Sequence, residues 1–315
     1  MISGNHPLLK TIMSLNPDNN RAKVLSASRR TDIPAFYMDW FMERIRHGFF
    51  DIKNPYTQVL KKVEVSKESF HSIVFWSKNY GPFLHSGAGQ TLQTLGFKLY
   101  FNFTINSESA LLEPEVPPLK QRLRQLKQLA SDFGPDNIAW RFDPICFFKT
   151  DGNPTKSVKP VKENNLADFV LISEHAAKIG IKKCITSFMD DYPKIQKRLK
   201  RLYSKTGRAF SFIDPDMESK IRLIQRMEKH LKALDISLFL CCEKDLFASL
   251  GKTATVRENA CIDGKHLKKL FGGNPETKRD YGQRAAQGCK CTKSIDVGSY
   301  KDHPCLHNCL FCYAN

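Results

Sequence analysis

The stretch CLHNCLFCYAN (305–315) sets three thiols, Cys305, Cys309 and Cys312, in a C-x3-C-x2-C spacing. Thiolates this close in sequence repel one another, so a loop that gathers them needs a cation to compensate their charge. Two chemistries meet that need. A structural zinc takes four protein ligands, and the fourth would have to be His303, His307 or a distant cysteine. A 4Fe–4S cluster takes one ligand per iron, and three cysteines leave one iron open, as a catalytic zinc keeps one position open. Phe311, just before the third cysteine, would shield such a cluster from water and oxygen, and His303 and His307 read as exposed loop residues. Ligation would also fasten a segment that otherwise frays, because the free energy of a metal site is folding free energy.

Such residues need a scaffold on which to meet. Six runs rich in β-branched and aromatic residues read as strands: KVLSASRR (23–30), SIVFWSKN (72–79), KLYFNFTIN (98–106), NIAWRFDPI (137–145), KKCITSFMD (182–190) and SLFLCCEKD (237–245). Longer stretches with helical periodicity lie between them, clearest over 36–50, 119–133, 165–180 and 217–234. Strand then helix, repeated, predicts an α/β fold of parallel strands and helical crossovers. No dinucleotide fingerprint follows any strand, which favours a full or partial TIM-like (β/α) barrel over 23–245. A polar N-terminal arm (1–22) precedes it, and a cysteine-rich, cluster-organised C-terminal subdomain (246–315), with six of the ten cysteines, follows. Each strand starts apolar and finishes polar. Arg29, Arg30 and Asp32, then Lys78 and Asn79, Arg141 and Asp143, Asp190, and Cys241 stand at these ends, and in a parallel barrel all such ends share one mouth, where the active site lies.

The tail loop, with an aromatic before its last cysteine and YAN after it, resembles the cluster loop of radical S-adenosylmethionine (SAM) enzymes, especially that of the spore photoproduct lyase group. There the loop follows the first barrel strand; here it is C-terminal, so the order resembles a circular permutation. The wider set SRRTDIPAFY (28–37), VFWSKN (74–79), WRFDP (140–144), CIDG (261–264) and CKCTKSIDVGSY (289–300), with the tail, is similar to domain-of-unknown-function family 1848. That resemblance implies a TIM-like barrel, an iron–sulfur cluster and SAM, with no known substrate. It aligns a C-x-E onto Cys241 and Glu243 and leaves Cys242 spare. Cys241, Cys261, Cys289 and Cys291 would then complete a four-thiolate site, suited to an auxiliary 4Fe–4S cluster or to zinc; ligand count fits both. Cys146 and Cys184 sit in apolar strands and read as core. The resemblance further implies that the amino and carboxylate groups of SAM bind the open iron at Cys305, Cys309 and Cys312. Arg29, Arg30, Asp32, Lys78, Asn79, Arg141, Asp143 and Asp190 are then the candidates for holding its remainder. Tyr300 and Tyr313 are candidates for passing a hydrogen atom.

Composition bounds the alternatives. Apolar residues at 41% describe a globular chain, and no window approaches 18 uninterrupted apolar residues, so no membrane span is expected. The N-terminus lacks the pattern of a signal peptide, which predicts a cytoplasmic, reducing setting where cysteines serve metal or redox chemistry. A formal net charge of +17 fits a polyanionic substrate, nucleic acid or a phosphorylated compound; lysines on solvated helix faces, as in QKRLKRLYSK (196–205), give the same total. GKT (251–253) is no phosphate loop, because Leu246 stands where a Walker motif needs glycine. The expectation is a radical-SAM-like enzyme fed by a reducing electron donor. The alternatives are a basic, zinc-stabilised nucleic-acid-binding protein and an iron–sulfur redox protein that never uses SAM.

Overall fold

The computed structural model describes residues 21–314 apart from 54–56, 58, 151–160, 208 and 252–253. Most of the expected N-terminal arm therefore lies outside the described residues. Its last residues are tied down: Ala22 N–H donates to the Asn274 carbonyl at 3.0 Å, and the Arg21 guanidinium to Thr277 Oγ1 at 2.6 Å.

The described strands are β1 (Lys23–Ala27), β2 (Phe49–Lys53), β3 (Leu60–Glu64), β4 (Phe70–Ser77), β5 (Lys98–Thr104), β6 (Ile138–Ile145), β7 (Phe147–Thr150), β8 (Val161–Asn164), β9 (Lys183–Phe188), β10 (Phe210–Ile213), β11 (Ser237–Leu240), β12 (Arg257–Glu258) and β13 (Ile295–Asp296). The helices are α1 (Ile33–Phe36), α2 (Met38–His47), α3 (Gly81–His85), α4 (Ala88–Thr94), α5 (Leu119–Phe133), α6 (Phe169–Lys178), α7 (Pro193–Thr206), α8 (Met217–Ala233), α9 (Lys244–Ser249) and α10 (Gly264–Phe271). All six expected strands form. None of the helices is long and apolar enough to cross a membrane.

Eight strands make one sheet in the order β12-β11-β9-β6-β5-β4-β1-β13, and every pairing in it is parallel. Parallel strands are covered on both faces, which explains the near-continuous apolar runs. Leu25, Ile73, Phe75, Phe101, Trp140 and Leu238 pack in the large core with helix residues such as Phe41, Leu126, Ile172 and Ile224. Their alternates, Val24, Val74, Tyr100, Ala139 and Ile185, form a separate small core on the other face, with Ile262 and Leu267 from beyond β12. The first and last strands in chain order are neighbours, with Leu25 opposite Ile295 and Ser26 opposite Asp296. No strand pairing joins the edges β12 and β13 among the described residues. The segments beside them do meet, where Thr292 N–H donates to the Ile262 carbonyl at 2.9 Å. The cysteine-rich C-terminal segment thus supplies both edge strands of the sheet.

Three further strands form an antiparallel sheet, β10-β7-β8. It builds a third core in which Phe148 from β7 and Ile195 and Leu199 from α7 pack with Leu112, Cys146, Cys309, Leu310 and Phe311. The tail loop is therefore held by packing of its own side chains. Cys146 and Cys184 are fully buried, as expected of core thiols.

Candidate metal centre

The C-terminal ends of the parallel strands open on one cavity of about 300 Å³. Cys241, Cys261, Cys289, Cys291, Cys305, Cys309 and Cys312 all line it, as do Arg29, Asp32, Lys78, Arg141, Asp143 and Asp190. Two expected residues do not. The Arg30 guanidinium turns to β13 instead, 3.3 Å from Asp296 and 3.2 Å from the Gly298 carbonyl. Asn79 serves the start of α3, its side-chain oxygen accepting from Gly81 N–H at 3.0 Å and Gln125 Nε2 at 2.8 Å.

Five sulfurs, not four, gather at one side. Cys241 Sγ lies 3.5 Å from Cys261 Sγ and 3.9 Å from Cys242 Sγ. The thiols then influence one another electrostatically from Cys261 to Cys291, Cys291 to Cys289 and Cys289 to Cys242, which closes a ring. Cys242, the residue left spare by the sequence, belongs to it. Neighbours in an extended strand face opposite ways, but Cys242 has a φ of 59°, and this left-handed turn brings both Cys241 and Cys242 to the cavity. Donation from Cys241, then Cys291, holds Cys261 well below the usual thiol range, with help from Arg141. Arg141 Nη1 reaches the Cys261 sulfur at 3.0 Å and Asn259 Nδ2 reaches it at 3.3 Å. Cys289, beside the Cys242 and Cys291 thiols, is lowered to about 3. Cys241 and Cys291 are pushed up, and so is Cys242, to about 12: the neighbouring Cys241 thiol lowers it, but Cys289 and burial together outweigh that. Two sulfurs in the ring therefore favour the thiolate form, an anionic site suited to a cation.

The tail loop faces the cavity beside this ring. Arg198 of α7 donates to the carbonyls of Cys309 at 2.7 Å, Leu310 at 2.8 Å and Cys312 at 3.0 Å. His307, expected to be exposed, is buried. Its Nε2 lies 2.8 Å from the Asp32 carboxylate and its Nδ1 3.2 Å from the Glu115 carbonyl, so it braces the loop instead of meeting solvent. His303 is half-buried, its ring 4.1 Å from that of Trp40 on α2 and 5.0 Å from that of Tyr37. Asp32 has no oxygen to spare, since it also caps α1 through Ala35 N–H at 3.0 Å and accepts from Lys78 N–H at 2.8 Å. Burial, helped by the charge of Asp32, pushes the Cys305 thiol up to about 12. Burial pushes Cys309 up as well, against the pull of Lys78. A cation among these sulfurs is what would make them thiolates.

The remaining lining residues form charged pairs. Asp143 accepts from Arg141 and from the Ser187 hydroxyl, and Asp190 accepts from Arg284. The Lys78 ammonium pairs with Glu113 and stands 5.2 Å from the Phe311 ring centroid. The Arg29 guanidinium lies 5.7 Å from the Trp76 ring centroid. Thr31 was missed in the sequence although it sits inside SRRTDIP; its hydroxyl is buried, lines the cavity and has no hydrogen-bond partner among the described residues. Tyr313 lines the cavity and Tyr300 does not. Among the described residues, no group of three or more His, Cys, Asp or Glu side chains is arranged to hold a metal ion. The sulfurs form a ring and a loop, not a preformed shell, and they fit a metal by the chemistry of the donors.

The model of a family described as Domain of unknown function (DUF1848) matches residues 24–314. No curated protein matches the chain. Among solved structures, it is similar to a D-hydantoinase at 10% identity and a TM-score of 0.27, over 77% of this chain and 44% of that one. It is also similar to the D-hydantoinase of Bacillus sp. AR9, described with evidence for mercury inhibition, at 13% identity and a TM-score of 0.27, over 55% and 34%. A third likeness is to morphinone reductase, at 11% identity and a TM-score of 0.31, over 82% and 63%. The chain spans less than two thirds of the length of each, and likenesses at these scores carry no argument.

Proposed function

The chain belongs to the family described as Domain of unknown function (DUF1848), and from the site its residues build we propose an iron–sulfur enzyme of the radical SAM type, acting on its substrate at the mouth of the parallel sheet. One observation carries this reading: the three sulfurs of the tail loop and the five-sulfur ring line the same cavity, with the C-terminal ends of the strands. Cys305, Cys309 and Cys312 would hold a 4Fe–4S cluster, and Cys241, Cys261, Cys289 and Cys291, with Cys242 at hand, an auxiliary cluster or a zinc ion. Bound there with SAM and fed by a reducing electron donor, the first cluster would supply a 5′-deoxyadenosyl radical. The protein's part is positioning. Arg198, His307 and Asp32 fix the loop, while Phe311 and Trp76 limit water. The Thr31 hydroxyl and the carboxylates of Asp143 and Asp190, each held by its arginine, present partners for the polar groups of a nucleoside.

The same proposal takes the sheet as a closed barrel. What supports closure is that the segments beside the edge strands β12 and β13 meet, where Thr292 N–H donates to the Ile262 carbonyl at 2.9 Å. The small core drawn from alternate residues of β1, β4, β5, β6 and β9 would be the barrel interior.

Iron, sulfide and zinc are to be counted in protein purified without oxygen, beside a variant with Cys305, Cys309 and Cys312 all changed to Ala. About eight irons falling to about four would support two clusters; about four falling to none, with zinc retained, would support one cluster and a zinc ring. Incubation with SAM and a strong reductant should then yield 5′-deoxyadenosine from the unaltered protein alone. Zinc without iron or sulfide would overturn the radical reading and leave the zinc-stabilised binding protein.

A further inference from the structure

Helix α7 carries more cations than any other described helix. Over Pro193–Thr206, PKIQKRLKRLYSKT, it carries six cations and no acidic residue. On α8, by contrast, charges are offset: Arg222 pairs with Glu218, and Lys220 with Asp214. Lys194, Lys197, Arg201 and Lys205 follow one another at three- and four-residue steps, so they form a single stripe along a helix about 21 Å long. All four are exposed. Read in the sequence alone, this segment looks like any solvated lysine face. Its place in the fold says otherwise.

The stripe begins at the cavity. Tyr192, the residue before the helix, lines the cavity, and its ring lies 5.8 Å from that of Tyr313, which lines it too. The Lys194 ammonium stands 5.3 Å from the centroid of Tyr300, and Tyr300 and Tyr313 are 41% and 44% exposed, enough ring surface for a planar ligand to stack on. Arg198, at the edge of the stripe, is the residue that holds the tail loop by three carbonyls. A row of cations with no ion pair among the described residues, leading to exposed aromatic rings, suits the way proteins track the backbone of single-stranded nucleic acid and stack its bases.

We propose that α7 and the tyrosines at its start form a docking surface for single-stranded nucleic acid, whose phosphates lie along Lys194, Lys197, Arg201 and Lys205 and whose base is delivered over Tyr300 and Tyr313 to the cavity. The net charge of +17 gives the same polyanion its long-range attraction. This inference deepens the function proposed above, because it names the substrate class of the same site.

The test measures fluorescence anisotropy of a labelled mixed-sequence single-stranded DNA oligonucleotide, and of its duplex, across a salt series. Full-chain protein purified without oxygen is compared with a variant carrying K197Q, R201Q and K205Q, and with Tyr300→Ala. Single strands should bind more tightly than the duplex. The three glutamines should lower the slope of log affinity against log salt by about 2, at 0.7 per phosphate contact. Tyr300→Ala should weaken binding by roughly five- to hundredfold with little change in slope, as the loss of one stacked base does. The metal content of each variant should equal that of the unaltered protein, because these side chains are exposed. No binding, a preference for the duplex, or a slope unchanged by the glutamines would overturn the inference. If that occurs while 5′-deoxyadenosine is still formed, only the substrate class has failed; binding without iron would sink the enzyme and leave the surface.

Discussion

Arg198 illustrates what a single residue does for this site. Its guanidinium meets three carbonyls of one loop, a task for which a rigid fork of five N–H donors is better suited than an ammonium. Charge-assisted bonds of this kind contribute about 1.5–3 kcal/mol each. Arg198→Ala should therefore lower the iron held by the tail loop by at least half and the melting temperature by a few degrees, with Arg198→Lys in between; metal analysis and a thermal scan of the purified variants check both. Unchanged iron in the alanine variant would mean that packing of Leu310 and Phe311 alone holds the loop. The cysteines were legible because their spacing is short and their chemistry restrictive. Arg198 was not, since it is one of six similar cations on its helix, and what sets it apart is a loop 111 residues away. His307 was misread for a related reason: its partner Asp32 lies 275 residues from it.

The apolar strands of the main sheet could be read; the more polar strands β2 and β3, of similar length, and the two-residue strands could not. The six expected strands run apolar before they turn polar, and α5 falls over 119–133, the range expected. The stretch read as one helix over 36–50 holds α2, preceded by the last residue of α1 and followed by the first two of β2; α2 stops at Gly48, whose φ of 77° suits a residue without a Cβ. β12 and β13 have two residues each, too few for any periodicity, and they lie in a loop-rich segment. Gly264 of CIDG explains itself only in three dimensions, since a Cβ there would lie 2.0 Å from the Glu276 carbonyl oxygen. The contact of β4 with the end of α10 carries a pH signature. His71 Nε2–H donates to the Gly272 carbonyl at 2.8 Å, and burial, with Lys98 nearby, holds its pKa below the ordinary value. A lowered histidine resists protonation in the folded state. Its contribution is fully present above about pH 6.5 and is lost as pH falls through the folded value. Tm should therefore drop less between about pH 7.5 and about pH 5 in His71→Gln than in the unaltered protein; equal drops would sink this assignment.

At the scale of the whole molecule, the join between β1 and β13 holds the two ends of the chain's architecture together. The half-buried Asp296 carboxylate accepts from the Ser26 hydroxyl, from Arg29 N–H at 2.9 Å and from Ser28 Oγ at 3.3 Å, and it pairs with Arg30 at 3.3 Å. Asp296→Ala would leave Arg30 and a backbone donor without their partner, a loss of about 3 kcal/mol. Urea unfolding should show it as a lower midpoint with an unchanged slope. A midpoint within error of the unaltered protein would mean that backbone pairing alone secures the strand. An α/β fold followed from the rhythm of strands and helices; the neighbours of β1 did not, because periodicity along a chain says nothing about how the chain returns.

That return has a consequence in time. Leu25 waits for Ile295, and at synthesis rates of about 5–20 residues per second the outer edge of β1 stays unpaired for roughly 15–55 s. A parallel edge left open this long invites pairing with a neighbouring chain. Cys289, Cys291 and the three tail cysteines leave the ribosome in the same late interval. If the site takes iron as proposed, recruitment of metal and completion of the sheet coincide, and a cell short of iron would accumulate aggregates of this chain rather than an inactive but folded protein.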